Sequence, residues 1–363
     1  MIAYTFLGES MKKIFLLVLI IIPIHIKAIQ TGATSAILMD MDSHRILYSE
    51  NIHKPRLIAS ITKIMTATLA VESGKMDDVV IVDNTIDKAY GSGIYITVGE
   101  KLTLRDLVYG LMLRSGNDAA LMIAKYVGGS VSNFVDMMNN KATEIGMKNT
   151  IFNNPSGLDQ EKGNYSTAYD MAILTSYAMR LKEYRKITKT KKYTLNTNKN
   201  SYVWHNKNKL LKRYKYATGG KTGFTKKAKR TLVTTASKDN MNLVVVTLND
   251  GNDFLDHENL FEYGFNNYTS YNILKKGIIH IYDEDYYDDY SLYVKNNFNY
   301  LLSNDEKGSI ILRFELVKKK HITNGDNIGR LIVKLGDKEV YEDIIYAKRK
   351  GEVKGLFRRL FNG

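Results

Sequence analysis

The sequence predicts an α/β protein of the α+β kind, with an antiparallel sheet flanked by helices and a small all-β domain after it. Strand-like segments stand near both ends of the first 274 residues, with helical segments between them. That order brings strands from distant parts of the chain into one sheet. Beyond Lys275 apolar residues alternate with polar ones, which is the period of a strand. With 363 residues the chain is long enough for two cores.

The first strands and helices follow from local pattern. The stretch "SAILMDMDSHRILYSE" predicts two strands joined by a polar turn at residues 41–44. Helical spacing begins at Ser60, and Gly74 is placed to end that helix. A second helix begins after Thr103, a residue type that caps helices, and "RSGND" at 114–118 interrupts it.

The rest of the first domain continues this organisation. We expect helices at about 131–146 and 167–182, the latter opened by a capping box of Thr167 and Asp170. From Tyr216 the pattern changes to strand in "YATGGKTGF", "RTLVTTAS" and "MNLVVVTL". These strands join the first two, and residues 29–274 form one domain.

The C-terminal part divides into a β domain and a tail. Residues 275–346 predict a small β-sandwich with a tight turn at Gly336-Asp337. Residues 347–363 combine basic side chains with apolar ones at helical spacing, namely Val353, Leu356, Phe357, Leu360 and Phe361. This pattern predicts an amphipathic helix that lies on the surface of an anionic membrane. A helix packed on the β domain and a disordered end are the alternatives.

The N-terminus and the composition indicate an exported protein. From Met11 a basic pair, an apolar stretch and Ala28 form a secretory signal, so residues 1–28 are upstream residues plus signal peptide, and Met11 is a candidate start. An uncleaved membrane anchor is the alternative. Cysteine is absent, which excludes disulfides and thiolate metal sites. The formal charge of +14 favours an anionic partner or surface, but no nucleic-acid-binding module accompanies the basic clusters.

Ser60 and Lys63 are the first candidate catalytic pair. Residues three apart share a helix face, so the hydroxyl points toward the amine. The apolar surroundings of "IASITKIM" lower the pKa of the lysine, and a neutral amine can then take the serine proton. A serine that caps the helix beside a lysine that reaches solvent would give the same sequence. This pair alone therefore does not decide between a catalytic and a structural role.

Two later motifs add to this pair in a fixed order. "SGN" at 115–117 interrupts two helices, and "KTG" at 221–223 lies on a strand with glycines on both sides. Such glycines let a ligand approach the backbone closely. The ordered set "SITK", "SGN" and "KTG" is the signature of penicillin-binding proteins and serine β-lactamases.

The chain resembles the low-molecular-mass penicillin-binding proteins that are D-alanyl-D-alanine carboxypeptidases of the peptidase S11 family. The likeness includes "HKPRLIASITKIMTA", "LMLRSGNDAALMIAKYVGGS", "NPSGLDQEKGNYSTAYDMAIL", "GGKTGFTKKAKRTLVTTA" and "LFEYGF". It covers nearly all of the chain after residue 28. The resemblance implies the transpeptidase fold shared with serine β-lactamases, with a five-stranded antiparallel sheet, a helical cluster and the active site between them.

The resemblance also implies roles for the motif residues. Ser60 attacks the carbonyl between the last two D-alanines of a peptidoglycan stem peptide, Lys63 is its general base, and Ser115 relays the proton to the leaving D-alanine. Substrate binding falls to Asn117, which holds an amide, and to the strand residues Lys221, Thr222, Gly223 and Phe224. Lys221 and Thr222 receive the terminal carboxylate, and the N–H groups of Ser60 and Phe224 form an oxyanion hole. β-Lactam antibiotics acylate such enzymes, and no cofactor or metal is required.

Four positions depart from the family pattern or add to it. Residue 224 is Phe where some relatives carry His, and Lys229 stands where relatives often have Gly. Arg230 is either a second contact for the substrate carboxylate or a surface charge. Trp204, the only tryptophan, is expected in the core or the cleft wall.

Two other functions compete with the carboxypeptidase. A β-lactamase would need a carboxylate for rapid deacylation, and the nearest candidate, Glu161-x-x-Asn164, is one residue shorter than the class A pattern. A catalytically silent wall-binding protein would act through its β domain. For the carboxypeptidase we expect an exported bacterial protein at the outer face of the cytoplasmic membrane, with stem peptides, β-lactams and that membrane as partners and no nucleic acid.

Overall fold

The computed structural model of the protein describes residues 29–159, 162–281 and 285–350. Its α-helices within those ranges are α1 Lys63–Glu72, α2 Leu104–Arg114, α3 Asn117–Gly128, α4 Val131–Glu144, α5 Ala168–Ala178, α6 Lys182–Lys189, α7 Leu210–Arg213 and α8 Asp253–Asn267. Short 3₁₀ helices span Ala59–Thr62, Asn84–Lys88, Asp285–Tyr287 and Asn304–Glu306. The predicted signal segment and most of the predicted tail lie outside the described residues.

The strands alternate with these helices in the first part of the chain and follow them in the second. They are β1 Ser35–Asp40, β2 Ile46–Glu50, β3 Arg56–Leu57, β4 Val79–Ile81, β5 Lys101–Thr103, β6 Tyr165–Ser166, β7 Lys192–Asn196, β8 Ser201–His205, β9 Ala217–Thr225, β10 Lys229–Lys238, β11 Met241–Leu248, β12 Thr269–Leu274, β13 Gly277–Ile279, β14 Tyr290–Val294, β15 Phe298–Leu302, β16 Ile310–Leu316, β17 Asp326–Leu335 and β18 Lys338–Arg349.

The central sheet has five antiparallel strands in the order β2-β1-β11-β10-β9. The N-terminal hairpin therefore pairs with strands some 200 residues later, as Ser35 opposite Leu248 illustrates. Strand β1 is buried along its whole length because both faces of the sheet are covered. One face packs against α5, and the other against α8. The α+β fold predicted from the sequence is confirmed.

Helix α1 lies at the centre of the helical layer. All of its residues from Lys63 to Ala70 are buried, so it is a central helix and not a surface one. It ends where Gly74 adopts a positive φ of 73°, as the sequence predicts. Helices α2 to α5 surround it, and their apolar side chains join those of the sheet in one continuous core.

Helix caps account for two of the predicted boundaries. Thr103 and Asp106 form a reciprocal capping box at the start of α2. Thr167 accepts a hydrogen bond from the backbone N–H of Asp170 and so caps α5, but the predicted reciprocal bond is absent there. The carboxylate of Asp170 instead accepts from the backbone N–H of Asn149 and the hydroxyl of Thr150. A contact distant in sequence thus replaces the local one.

The C-terminal part consists of a five-stranded antiparallel sheet, β13-β14-β18-β17-β16, and the pair β12-β15, which share a core. Gly336, with φ of 57°, turns β17 into β18 where the sequence predicts a tight turn. Strand β12 begins at Thr269, before the predicted boundary at residue 275. Strand β18 continues to Arg349 with Ala347 buried, so residues 347–349 belong to the sheet and not to the predicted tail helix.

Arg45 joins the two parts. It lies just before β2, and its guanidinium donates to the carbonyl of Leu301 and forms an ion pair of 2.5 Å with Glu306. The same guanidinium lies 4.9 Å from the ring centroid of Tyr300 and 5.3 Å from that of Tyr268. One cation thus contacts a carbonyl, a carboxylate and two aromatic rings. These contacts hold the β domain against the turn between β1 and β2 of the central sheet.

Lys229 generates a prediction about stability. It has a φ of 60° at the end of the turn between β9 and β10, a conformation that is strained for a residue with a side chain. We expect Lys229→Gly to raise the free energy of unfolding by about 0.5–1 kcal/mol, measured by urea denaturation. Lys226→Gly, in the same turn but without a positive φ, is the matched control and should not stabilise. Equal effects of the two substitutions would show that the backbone strain is not the cause.

Candidate active site

Ser60 lies in a strained turn that leads into α1. The 3₁₀ helix Ala59–Thr62 presents its hydroxyl, and Ala59 just before it has a positive φ of 48°. Two close approaches hold this turn. A Cβ on Gly157 would lie 1.9 Å from the carbonyl oxygen of Ala59, and one on Gly223 would lie 2.9 Å from the backbone nitrogen of Ser60. Only glycine permits both contacts.

The amine of Lys63 lies within hydrogen-bonding distance of three oxygens. Its Nζ is 3.2 Å from the hydroxyl of Ser60, 2.7 Å from Oδ1 of Asn117 and 2.6 Å from the carbonyl oxygen of Ser156. The last two oxygens can only accept, so they take two N–H groups. A neutral amine then keeps its lone pair for the hydroxyl of Ser60, which can donate. The arrangement fits a base that receives the serine proton.

Burial makes that neutral state accessible. The side chain of Lys63 is fully buried, and burial, with the nearby charge of Lys207, lowers its pKa to about 7, against a smaller opposite effect of Asp118. No described carboxylate forms an ion pair with it. The alternative of a lysine that reaches solvent beside a helix cap is therefore wrong, because Lys63 is inside the protein and Ser60 makes no capping bond.

Ser115 and Asn117 come from the break between α2 and α3. Ser115 caps the end of α2 in the left-handed conformation, with φ of 66°, and Asn117 begins α3. The amide group of Asn117 donates from Nδ2 to the carbonyl of Tyr90, which leaves Oδ1 for Lys63. Asp118 accepts from the backbone N–H groups of Ile94 and Tyr95 and fixes that neighbouring loop. The predicted break thus supplies two buried side chains, and each is hydrogen-bonded to one of the buried lysines.

Lys221 connects the third motif to the second. It lies in β9, and its buried Nζ donates to the hydroxyl of Ser115 at 3.0 Å and to the carbonyl of Thr222 at 2.6 Å. Burial, with the charges of Lys63 and Lys207, lowers its pKa well below the usual value. Six of the eight predicted site residues are therefore linked by hydrogen bonds of two buried amines, Ser60 and Asn117 to Lys63, and Ser115 and Thr222 to Lys221.

The remaining predicted residues follow Lys221 along β9. Thr222 and Gly223 are partly buried, with Gly223 against the turn of Ser60. Phe224 is 64% exposed, so its side chain lies at the surface beyond them. The roles assigned to these residues stay predictions, including the oxyanion hole.

The positions that departed from the family pattern have definite surroundings. Arg230 forms a two-pronged ion pair with Asp253, a contact that the sequence did not suggest. Trp204 is buried and packs near the rings of Tyr193 and Tyr202, in keeping with a core position. Asn164 uses its side chain for Thr62 and for the backbone of the loop that contains Ser156. Glu161, the candidate base of a β-lactamase, lies outside the described residues.

Sequence reasoning did not find three contributors to the site. The carbonyls of Ser156 and Tyr90 orient Lys63 and Asn117, but a backbone carbonyl leaves no mark on residue type. Lys207 contributes its charge, and its backbone N–H donates to Leu113 beside the Ser115 turn. Only its place in the basic stretch "NKNK" could have drawn attention to it.

A serine beside a buried lysine, faced by a second serine, an asparagine and a strand lysine, defines the class of penicillin-interacting serine acyl-transfer enzymes. The peptidase S11 model, described as D-alanyl-D-alanine carboxypeptidase, matches residues 24–252, and the model for the C-terminal domain of penicillin-binding protein 5 matches residues 268–352. The chain belongs to the peptidase S11 family of D-alanyl-D-alanine carboxypeptidases, which are serine peptidases. The family recognised from the motifs is thus confirmed.

Two curated relatives illustrate the extent of the likeness. The D-alanyl-D-alanine carboxypeptidase DacA of Haemophilus influenzae is 30% identical over 359 residues, which cover 92% of this chain and 88% of the relative. The D-alanyl-D-alanine carboxypeptidase DacF of Bacillus subtilis is 40% identical over 220 residues, 59% of this chain. That second match spans only 56% of the relative.

Solved structures share the fold over both domains. Penicillin-binding protein 5 from Haemophilus influenzae superposes with a TM-score of 0.76 at 28% identity, covering 88% of this chain and 98% of that structure. The D-alanyl-D-alanine carboxypeptidase DacD from Francisella tularensis gives a TM-score of 0.70 at 25% identity over 89% of this chain and 94% of that one. In the part of this chain that the structure describes, no group of His, Cys, Asp and Glu side chains could hold a metal ion.

The lowered pKa of Lys63 generates a prediction about pH. Because the predicted base can accept a proton only as a neutral amine, we expect acylation by penicillin to rise with pH through about 7 and to fall about tenfold per unit below it. Lys63→Arg cannot supply a neutral amine and should acylate about 10²–10⁴-fold more slowly at every pH. The measurement is the second-order acylation rate from quenched mass spectrometry. Lys75→Arg, exposed after α1, is the matched control, and a parental rate in Lys63→Arg would remove Lys63 as the base.

Proposed function

We propose that the protein removes the terminal D-alanine from peptidoglycan stem peptides through an acyl-enzyme on Ser60. The observation that carries this proposal is the 3.2 Å approach of the buried Lys63 amine to the Ser60 hydroxyl. A nucleophile and a base at this distance, with the base oriented by further groups, are the essentials of covalent catalysis by a serine.

Acylation begins with proton transfer from Ser60 to Lys63. The serine oxygen attacks the carbonyl carbon between the two D-alanines, and the carbonyl oxygen gains negative charge. The backbone N–H groups of Ser60 and Phe224 stabilise that charge, as the family resemblance implies. Gly223 supports this assignment, because its lack of a side chain lets β9 approach the Ser60 turn.

Release of D-alanine needs a proton on its nitrogen. Ser115 relays that proton: it gives its hydroxyl proton to the nitrogen as the C–N bond breaks and regains one from the buried amines, so that the proton taken from Ser60 ends on D-alanine. Its hydroxyl is suited to this because it accepts from Lys221 Nζ at 3.0 Å. The leaving D-alanine carries a carboxylate, which Lys221 and Thr222 receive at the strand. Asn117, held by Tyr90 and Lys63, offers its amide to the substrate.

Hydrolysis completes the cycle when water attacks the acyl-enzyme. Penicillin acylates the same serine, because its strained amide mimics the D-alanyl-D-alanine bond and its carboxylate meets the same strand residues. The opened ring keeps the leaving nitrogen tethered and hinders water. The side chain of Asn164 is already used in holding the loop, which supports slow deacylation in place of β-lactamase turnover.

The test of this function combines a peptide and a penicillin. The full chain should release D-alanine from a synthetic peptide ending in D-alanyl-D-alanine, and Ser60→Ala should abolish release. Intact mass spectrometry after mixing with penicillin should show a persistent adduct on the parent and none on Ser60→Ala. Rapid catalytic consumption of penicillin with no adduct would indicate a β-lactamase. Neither D-alanine release nor adduct would indicate the silent wall-binding protein.

For location we propose export through the N-terminal segment 1–28 and attachment to the outer face of the cytoplasmic membrane through the basic amphipathic tail. The spacing of apolar and basic residues at 351–363 supports surface attachment. Across the described ranges, no helix combines the length and apolar character needed to cross a bilayer.

Truncation after Lys350 tests the tail. This end point preserves β18, which a cut after Tyr346 would shorten. We expect the truncated protein to leave the membrane fraction and to keep its D-alanine release. The matched variant replaces the apolar tail residues with serine and keeps the charges, namely Leu356→Ser, Phe357→Ser, Leu360→Ser and Phe361→Ser, and it should also be released. Sedimentation of both with membranes would point to an uncleaved N-terminal anchor.

A further inference from the structure

A basic cavity of ≈ 480 Å³ lies beside the start of β9, and none of the predicted site residues lines it. Its walls come from the end of α6, the start of β7, α7 and the segment before β9. Five of its eight lining residues are lysines, namely Lys189, Lys191, Lys192, Lys212 and Lys215. The feature is therefore a concentrated positive charge around a concave surface, and the proposed peptidase reaction does not use it.

These lysine charges are incompletely balanced by the protein, in which Glu262 attracts Lys215. Among the described residues none of the five ammonium groups forms an ion pair. The carboxylates nearby are engaged elsewhere, Glu258 with Arg213 and Glu262 with the hydroxyl of Tyr214. Lys215 lies 4.7 Å from the ring centroid of Tyr216, which adds no negative charge. Like charges held together without anions raise the local positive potential and attract anions.

The frame of the cavity is rigid and attached to the catalytic strand. The hydroxyl of Thr188 accepts a hydrogen bond from the backbone N–H of Gly220 at 2.8 Å and donates one to its carbonyl at 3.2 Å. Asn206 donates from its backbone to Lys191 at 2.9 Å and from its side chain to Thr190 at 3.0 Å. Ala217 lines the cavity and Lys221 follows four residues later in β9, which corresponds to about 13 Å along a strand.

We propose that this cavity binds an anionic polymer with repeating phosphate groups and so holds the enzyme beside that polymer. Lysine ammonium groups bind phosphate as point charges, and several of them in one concavity suit an anion that repeats along a chain. A lipid headgroup shares the phosphate chemistry. However, Leu211 in the lining is buried and Tyr214 is partly buried, so the lining offers no large apolar side chain to enter a bilayer. The proposal does not depend on the proposed peptidase function.

The test uses the full chain and a fluorescently labelled poly(glycerol phosphate) chain, with binding measured by anisotropy. The cavity variant carries Lys191→Gln, Lys192→Gln and Lys212→Gln. The matched control carries Lys318→Gln, Lys319→Gln and Lys320→Gln, which remove the same charge from an exposed loop of the β domain. We expect the cavity variant to bind roughly tenfold or more weakly, with a smaller salt dependence, and the control to stay within about twofold of the parent. Equal losses would show attraction by net charge alone and overturn the proposal.

Two further experiments test whether positive charge causes the binding and whether the bound phosphate belongs to a polymer or to a lipid. Arginine at the same three cavity positions should restore polymer binding, since the charge is kept, and failure to restore it would overturn the proposal. Vesicles of phosphatidylglycerol should bind the cavity variant and the parent alike. If the cavity variant loses vesicle binding but keeps polymer binding, the ligand is a lipid headgroup and the polymer is excluded. Release of D-alanine from a small peptide should be unchanged in all variants, which separates this test from that of the peptidase.

Discussion

The amine of Lys63, buried between the oxygen of Asn117 and the carbonyl of Ser156, is the interaction on which the site depends. Both partners accept hydrogen bonds and neither carries charge, so they hold the nitrogen without favouring its cationic form as a carboxylate would. The three elements that meet at this nitrogen are α1, the start of α3 and the loop before β6. Packing of α1 against α3 is therefore also part of what assembles the base.

Strain is concentrated around the same point. Ala59 and Ser115 both adopt positive φ, at 48° and 66°, although neither is glycine. Each such residue costs about 1–3 kcal/mol and persists only where the surroundings determine it. Gly157 lies directly against the carbonyl of Ala59, and Lys221 donates a hydrogen bond to the hydroxyl of Ser115. The buried contacts thus hold the turn before Ser60 and Ser115 itself in their strained conformations.

The sequence was sufficient for the parts that periodicity and residue type encode. The two N-terminal strands, the break between α2 and α3 and the hairpins of the central sheet stand where the pattern predicts them. The helix predicted over 167–182 is α5, which ends earlier, at Ala178; its end was placed too late because residues 179–181 contain no proline or glycine to mark it. The hairpin β7–β8 was not predicted. Contacts made by backbone carbonyls, such as that of Ser156, depend on tertiary structure and carry no residue signature.

Lys63 and Lys221 also constrain each other. Both amines are buried, neither has an ion pair among the described residues, and the charge of Lys63 helps to lower the pKa of Lys221. Because electrostatic interaction is reciprocal, a charge on Lys221 must act on Lys63 in the same direction. In the proposed reaction the substrate carboxylate arrives at Lys221 and favours the cationic form there. A cation at Lys221 then disfavours a proton on Lys63, the nitrogen that must accept one from Ser60. The protonation states of Lys63 and Lys221 are therefore coupled through electrostatics, and a group that binds one amine also acts on the other.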